Sequence, residues 1–302
     1  MGSSHAVVAD VLATQNARLA PSPARDRNLD ALRGGAAAVV TGQQVGLFLG
    51  PLFTIYKAAS AIRDAAALAA RRGAPVVPVF WLQTEDHDLP EIASCAVPGQ
   101  LDAPRVFALP ASPDDRVSLA HLTLPAEVEP CIDELADDLA GHSFTASHIA
   151  RLRRHYRAGA GWAAAFAGVV GELFADEGLV VMDARDPALG ELVRPVHHRA
   201  LRDAEVISRA LELRSEELLA GGARVQVHVR PGAPLAFHHP AGREGPRYRL
   251  EPAGGEGDGA RFAEVGGSAT HSRAELFAAL ERDPLCFSTS ALLRPIVQDT
   301  LL

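Results

Sequence analysis

The chain has 302 residues, 48% of them hydrophobic, enough for one large domain or two moderate ones with proper cores. Its 37 acidic side chains outnumber 29 basic ones, and the formal net charge of −8 with no basic run argues against a nucleic-acid partner. No apolar stretch approaches the roughly 20 residues of a membrane span, and the N-terminus lacks the basic-then-apolar order of a signal peptide, so the reading is a cytoplasmic protein without membrane association.

Met1 to Gly35 reads as a polar, Ala-rich lead-in with a helix over Val7 to Leu19, broken by Pro21 and Pro23, and a short helical turn from Asn28 to Leu32. Ala36 to Val40 is a buried strand. It enters a glycine-interrupted loop in which Gly42 and Gly46 are free to take tight or positive-φ geometry, and Pro51 suits the first turn of a helix over Leu52 to Ala70. The free amides of that helix start, with Thr41, Gln43 and Gln44 before it, suit an anionic or polyhydroxylated group at the carboxyl end of the strand. A plain strand–loop–helix link reads equally well from these residues alone.

Pro75 to Leu82 is a second buried strand, and it runs into Gln83-Thr84-Glu85-Asp86-His87-Asp88. Four ionisable groups in a row thus fall where open α/β sheets carry their chemistry. The two strand ends are expected to face one site, with Thr41, Gly42, Gln43, Gln44 and Lys57 lining a cleft together with Glu85, Asp86 and His87. The simpler alternative is that His87 and its neighbours cap the next helix. Lys57 is the sole lysine among many arginines, which suggests an ammonium kept for a substrate carboxylate, against chance retention.

Beyond the acidic motif, Pro98-Gly99, Pro104, Pro110 and Pro113 punctuate a segment in which Arg105 to Leu109 is expected to add a strand to the sheet. Leu124 to Leu179 turns helical. Trp162, Phe166, Val169, Val170, Leu173 and Phe174 recur at spacings of three and four, the pattern of a helix facing a core, so these aromatics read as structure. Gly178 closes that helix. Leu179 to Met182 is a short strand ending at Asp183, which is expected in the same cleft, while Asp186 before Pro187 reads as a helix N-cap. One long helix is expected over Ala188 to Ala220. Its His197 and His198 point about 100° apart, cannot form an i, i+4 metal pair, and read as a solvated face.

From Gly221 the texture changes. Val225, Val227 and Val229 alternate with polar residues as a half-exposed strand, with Leu235 to Phe237 and Tyr248 to Leu250 as partners and a mobile, glycine-rich Gly254 to Gly259. Leu292 to Leu302, with Arg294, Gln298 and Asp299 as its polar groups, reads as a return to the main sheet. The expected architecture is therefore an α/β, doubly wound, Rossmann-like and mostly parallel sheet over residues 1–223, a small antiparallel lobe inserted at 224–283, and a return to the α/β domain at 284–302. Cys95, Cys131 and Cys286 are odd in number, widely spaced and without a CxxC pair, which excludes a disulfide framework or zinc knuckle. Cys95, nearest the acidic motif, reads as a small buried hydrophobe or as a nucleophile. No metal ligand set is assigned.

TGQQVGLFLGPLFTIYK followed by VPVFWLQTEDHDLPEI resembles the bacillithiol-synthesis cysteine ligase family, BshC, which has both motifs at this spacing. GLVVMDARDP (Gly178 to Pro187), VQVHVRPGAP (Val225 to Pro234) and LLRPIVQDTLL (Leu292 to Leu302) are similar to family segments in the same order. Phe287-Ser288-Thr289-Ser290 departs from the Ser-Pro-Asn turn usual there. The resemblance implies a ligase that adds L-cysteine to glucosaminyl malate through an amide bond, the last step of bacillithiol biosynthesis. It also implies a continuation past Leu302 into a coiled coil that pairs subunits, hence a homodimer only where that segment is present.

Within this reading the catalytic residues are Glu85, Asp86 and His87. His87, whose ordinary pKa lies near neutrality, is the general base for the attacking amine, with Asp86 or Asp88 orienting its ring and Glu85 positioning an ammonium group. Thr41, Gly42, Gln43, Gln44, Lys57, Asp88, Asp183 and Arg294 are the substrate-binding residues. The cofactor is left open. A free carboxylate needs activation, ordinarily by ATP, yet there is no GxxxxGKS loop or ATP-grasp signature. The crossover resembles that of class I aminoacyl-tRNA synthetases, but Phe53 and Tyr56 stand where that class carries phosphate-binding histidines. Two other readings use the same residues: a nucleotidyl or nucleotide-sugar transferase with a divalent cation on Asp86 and Asp88, and half of a split enzyme acting as a non-catalytic module.

Overall fold

The computed structural model describes residues 2–98, 103–111 and 116–302, so Gly99 and Pro113, read above as breaks, lie outside the described residues. The chain forms two compact units, Met1–Asp186 together with Leu302, and Pro187–Leu301. The boundary thus precedes the one expected between 223 and 224.

In the first unit, β1 (Ala37–Gln43), β2 (Val76–Leu82) and β5 (Val180–Asp183) form a parallel sheet in the order β1-β2-β5. Every residue of the central β2 is buried, as a valine-rich parallel strand covered on both faces should be. The crossover from β1 to β2 is α3 (Phe53–Arg72), stopped by Gly73 in the left-handed conformation at φ 63°. It lays small side chains, Ala58, Ala61 and Ala65, inward. On the same core side, Phe80 of β2 meets Phe166 of α7 (Trp162–Leu173) at 6.0 Å between ring centroids.

The free edge of β5 is covered by side chains from α1 (Gly2–Asn16). Asn16 donates to the Val181 carbonyl at 2.7 Å and accepts from its amide at 3.0 Å; Gln15 does the same for Asp183, at 2.9 Å each way. Two primary amides therefore replace the next strand's backbone. Pro23 begins α2 (Pro23–Arg33) instead of merely breaking α1, because Ser22 caps it by accepting from the Arg25 amide at 3.0 Å. The Arg25 guanidinium is buried and donates to the carbonyls of Leu179, Ala20 and Gly171.

Pro104–Ala108 is a strand, β4, but it does not extend the parallel sheet. It pairs antiparallel with β3 (Ser94–Pro98) in a separate two-stranded ribbon. The reason is chain length: the few residues between β3 and β4 permit a hairpin, whereas a parallel neighbour needs a crossover of about a dozen residues. Helices α5 (Val128–Asp138) and α6 (Thr145–His155) precede α7, as the periodicity requires.

The second unit opens with two helices, α8 (Pro187–Arg202) and α9 (Ala204–Ala220), not one. The break is Asp203, a poor helix-interior residue, which takes φ −100° and ψ 20° and binds Arg202 with its carboxylate at 2.8 Å. Val225, Val227 and Val229 form no strand; their alternation finds no partner to pair with. The antiparallel sheet has five strands, β6 (Ala236–His238), β7 (Tyr248–Pro252), β8 (Arg261–Glu264), β9 (Thr270–Ser272) and β10 (Phe287–Thr289), in the order β10-β6-β7-β8-β9.

Between β9 and β10 lies α10 (Arg273–Arg282), opened by a capping box of Ser272 and Glu275. The C-terminal stretch is a helix, α11 (Arg294–Leu301), and not a strand returning to the parallel sheet. Its Val297 and Leu301, four apart, supply a buried helical stripe. His197 is not solvated: it is 2% exposed, with its ring 6.0 Å from Phe287, while His198 stacks on Phe277 at 4.4 Å. Among the described residues no helix is long and apolar enough to cross a membrane.

Candidate active site

The site is built where β1 and β2 end side by side. Their register pairs Gln43 with Leu82, and the Gln83 amide donates to the Gln43 carbonyl at 3.0 Å. Thr41, Gly42 and Gln43 therefore belong to the strand and not to the loop. The glycines are explained by close approach, not by positive φ. A β-carbon on Gly42 would lie 2.6 Å from the Trp81 carbonyl oxygen, and one on Gly46 would lie 1.9 Å from the Gly50 carbonyl oxygen. The left-handed positions are instead Phe48 (φ 51°) and Leu49 (φ 65°).

Aromatic side chains hold this bent loop. The Trp162 indole N–H donates to the Val45 carbonyl at 2.6 Å, and the Tyr156 hydroxyl to the Gly46 carbonyl at 3.4 Å, with the Phe48 ring edge-on to Tyr156 at 5.2 Å. Burial pushes the Tyr156 hydroxyl well above its ordinary range, so it stays a protonated donor. At the start of α3 the Thr54 and Ile55 amides already donate to Pro51 and Leu52. These two amides are thus engaged within the helix start itself.

Gln44, first residue past β1, joins the two motifs. Its Nε2 donates to Asp86 Oδ2 at 2.9 Å and to Glu91 Oε2 at 2.8 Å. Asp86 Oδ1 also accepts the His87 amide at 2.8 Å, and His87 Nδ1 lies 3.5 Å from the same oxygen without hydrogen-bond geometry. Asp88 accepts the Glu91 amide at 3.1 Å, capping the single turn α4 (Leu89–Ile92), which is the helix-cap role considered as the alternative for this motif. Glu85 is 5% exposed.

Lys57 Nζ donates to the Gly42 carbonyl at 3.0 Å and to Gln43 Oε1 at 2.9 Å, 5.3 Å from the Phe53 ring centroid. With Thr41, Phe53, Tyr56 and Asp64 it lines an open groove of about 490 Å³ between β1 and α3. Asp183 accepts from the Thr84 hydroxyl at 2.6 Å and from the Arg185 amide at 3.0 Å. Burial raises its pKa, with Thr84 and Arg185 opposing that rise. Arg294 begins α11 in the second unit.

Sequence reasoning passed over Thr84, Glu91 and Ser118. Ser118 donates to the Thr84 carbonyl at 2.5 Å, and the Leu119 amide to that of Asp86 at 2.8 Å, so this segment pins the acidic motif from outside. Thr84 and Glu91 sit inside the quoted motif, but nothing in their spacing distinguishes a partner of Asp183 or Gln44 from a surface group. Burial pushes the Cys95 thiol up to about 12, which leaves it protonated at neutral pH and favours its reading as a small buried hydrophobe. Among the described residues Asp86 and Asp88 belong to no cluster of three metal-ligating groups. Asp86 is engaged with Gln44 and His87, and Asp88 with Glu91.

A family model described as "Bacillithiol biosynthesis BshC, N-terminal Rossmann-like domain" matches residues 2–302. The chain belongs to the BshC family. Relatives named "Putative cysteine ligase BshC" include one from Koribacter versatilis, 36% identical over 98% of this chain, and one from Salinibacter ruber, 33% identical over 98%. A third, from Geobacillus thermodenitrificans, is 29% identical over the same share. The chain spans about half the length of these relatives, 53% of the first two and 54% of the third. Within the BshC family this chain thus supplies the Rossmann-like sheet, and the Gln44–Asp86 junction lies at the carboxyl edge of that sheet, where such folds bind ligands.

Proposed function

We propose that this chain is the Rossmann-like part of a cytoplasmic cysteine ligase that joins L-cysteine to the amine of glucosaminyl malate, completing bacillithiol. One arrangement carries the reading: Gln44 of the first crossover bonds Asp86 of the acidic motif at 2.9 Å, with His87 beside it. In the reaction the amine attacks the cysteine carboxyl carbon, a carbon–nitrogen bond forms, and an activated carboxyl oxygen departs, ATP being the ordinary activator. The amine must lose a proton. His87 Nδ1 lies 3.5 Å from Asp86 Oδ1, and a small rotation that closes this to a hydrogen bond would hold the ring proton on Nδ1 and leave Nε2 as the base.

Lys57 and Thr41, on the open groove, suit the malate carboxylates, with Gly42, Gln43 and Gln44 contacting the sugar. Glu85 positions the cysteine ammonium. Asp183 supports Thr84 from below, and subunits pair through a coiled coil of the relatives' remaining length. In the full-length protein His87→Asn should bind glucosaminyl malate normally and lose about 10²- to 10⁴-fold in the rate of cysteine addition. Turnover at the wild-type rate by a folded His87→Asn protein would overturn the assignment.

A further inference from the structure

The second unit brings together three groups that lie on different strands. In an antiparallel sheet, directly paired residues and residues two apart share a face. His238 pairs with Tyr248, Leu250 with Glu264, and Phe262 with His271. Stepping along that register places His238, Glu264 and His271 on one face.

Strands β7 and β8 lie between β6 and β9 in the sheet order, a lateral distance of about 14 Å if the sheet were flat. The His238 and His271 rings are nevertheless 4.7 Å apart, so the sheet curls and this face is concave. Each of the three side chains offers one ligand atom within 4.8 Å of the other two.

The polar accounting of this cluster is incomplete. His271 Nε2 and Glu264 Oε1 share a hydrogen bond of 2.7 Å. His238 is 4% exposed, and its buried Nδ1 has no hydrogen-bond partner. Burial next to another imidazole holds its pKa down to about 4, so the ring is neutral. A buried imidazole with an unused nitrogen is costly in the absence of a ligand. Beside it, His238 and His271 open onto a cavity of about 360 Å³ that is also lined by Glu275, Arg282 and Asp283.

We propose that His238, Glu264 and His271 bind a divalent transition-metal ion of the zinc class, with its remaining coordination position open to the cavity. Two imidazoles and one carboxylate are a known zinc ligand set, and three protein ligands leave a tetrahedral ion one place for water or substrate. Tetrahedral bonds of about 2.0–2.1 Å put ligand atoms about 3.3 Å apart. Side-chain rotation by about an ångström therefore closes the site. The ion takes the place of the hydrogen between His271 Nε2 and Glu264 Oε1: in a neutral ring that hydrogen moves to Nδ1, and from an imidazolium it is released to solvent.

The test uses the full-length protein stripped with a chelator and titrated with Zn²⁺, and separately with Co²⁺, whose visible absorption reports tetrahedral coordination. One equivalent should bind, with affinity falling as the pH is lowered and protons compete for the ligand atoms. His238→Gln and Glu264→Gln should each weaken Zn²⁺ binding by more than the roughly 10- to 100-fold typical of lost supporting residues. His198→Gln and Asp86→Asn should leave it unchanged. Should either ligand variant fail to fold, X-ray absorption on the zinc-loaded wild type decides, and two imidazoles in the coordination sphere are expected. Absent stoichiometric binding, binding undiminished in both folded variants, or a zinc shell without two imidazoles would each overturn the site.

Discussion

Gly46 has a backbone any residue could adopt, φ −62° and ψ 148°, and still tolerates no side chain, because the Gly50 carbonyl oxygen occupies the space of a β-carbon. Backbone cannot give way as a flexible side chain would. Gly46→Ala should therefore forgo the roughly 0.4–1 kcal/mol that this substitution gains where the backbone and space permit it, and instead cost about 1–3 kcal/mol, as overpacked interiors do. Urea unfolding checks this: the midpoint should fall with the slope unchanged. The consequence reaches the site, since Gly46 anchors Tyr156 and its neighbour Val45 anchors Trp162, and Gln44 is the next residue back. Gln44→Ala tests only the junction, whereas Gly46→Ala moves the loop that presents it.

Helices α6 and α7 are tied by one carboxylate. Glu172 accepts from Arg151 at 3.1 Å, from Arg154, and from His155 at 3.0 Å. Burial works against its charged form, but Arg154, His155 and Arg151 together outweigh that and hold its pKa at about 2, below the ordinary 4.5. A carboxylate depressed by folding stabilises the fold above its unfolded pKa, and that contribution fades as pH falls from about 4.5 toward about 2. Glu172→Gln should thus be less stable than wild type near neutrality, with the difference in urea midpoints shrinking across that acid window; a constant difference would contradict the charge argument. This clasp was not legible beforehand, although α7 itself was, because a 3.6-residue stripe is local while a partner for Glu172 is not. The same distinction separates the other elements. Buried runs such as Pro75 to Leu82 announced strands, and their polar ends were expected to face one site; what the structure shows of that is the hydrogen bond from Gln44 to Asp86. The partner of Arg105 to Leu109 depended on a short hairpin link, the alternation at Val225 found no neighbour, and Val297 with Leu301 fitted a helix as readily as a strand. Asp88 read as a ligand because a cap and a catalytic carboxylate look alike in sequence.

At the scale of the molecule, the first unit carries its own complete core. One contiguous apolar cluster runs from Val45 to Val181 and includes Phe80, Leu119, Ile132, Tyr156, Trp162 and Phe166. None of its members comes from the second unit, and the open edge of β5 is closed by Gln15 and Asn16 from the same unit. A domain of that length buries about 70% of the surface its unfolded chain exposes, which suffices for independent stability. Residues 1–186 expressed alone should therefore fold cooperatively, with one urea transition seen alike by far-ultraviolet circular dichroism and by tryptophan emission, since Trp81 and Trp162 are both buried here. Because Gln44, Lys57, Asp86 and His87 all lie within this stretch, the fragment should also keep their geometry, and Gly46→Ala should lower its midpoint as it does in the longer chain. Non-coincident transitions, or a compact state without fixed tryptophan environments, would show instead that the parallel sheet needs α8 to α11 to pack, and the division at Asp186 would not mark an autonomous fold.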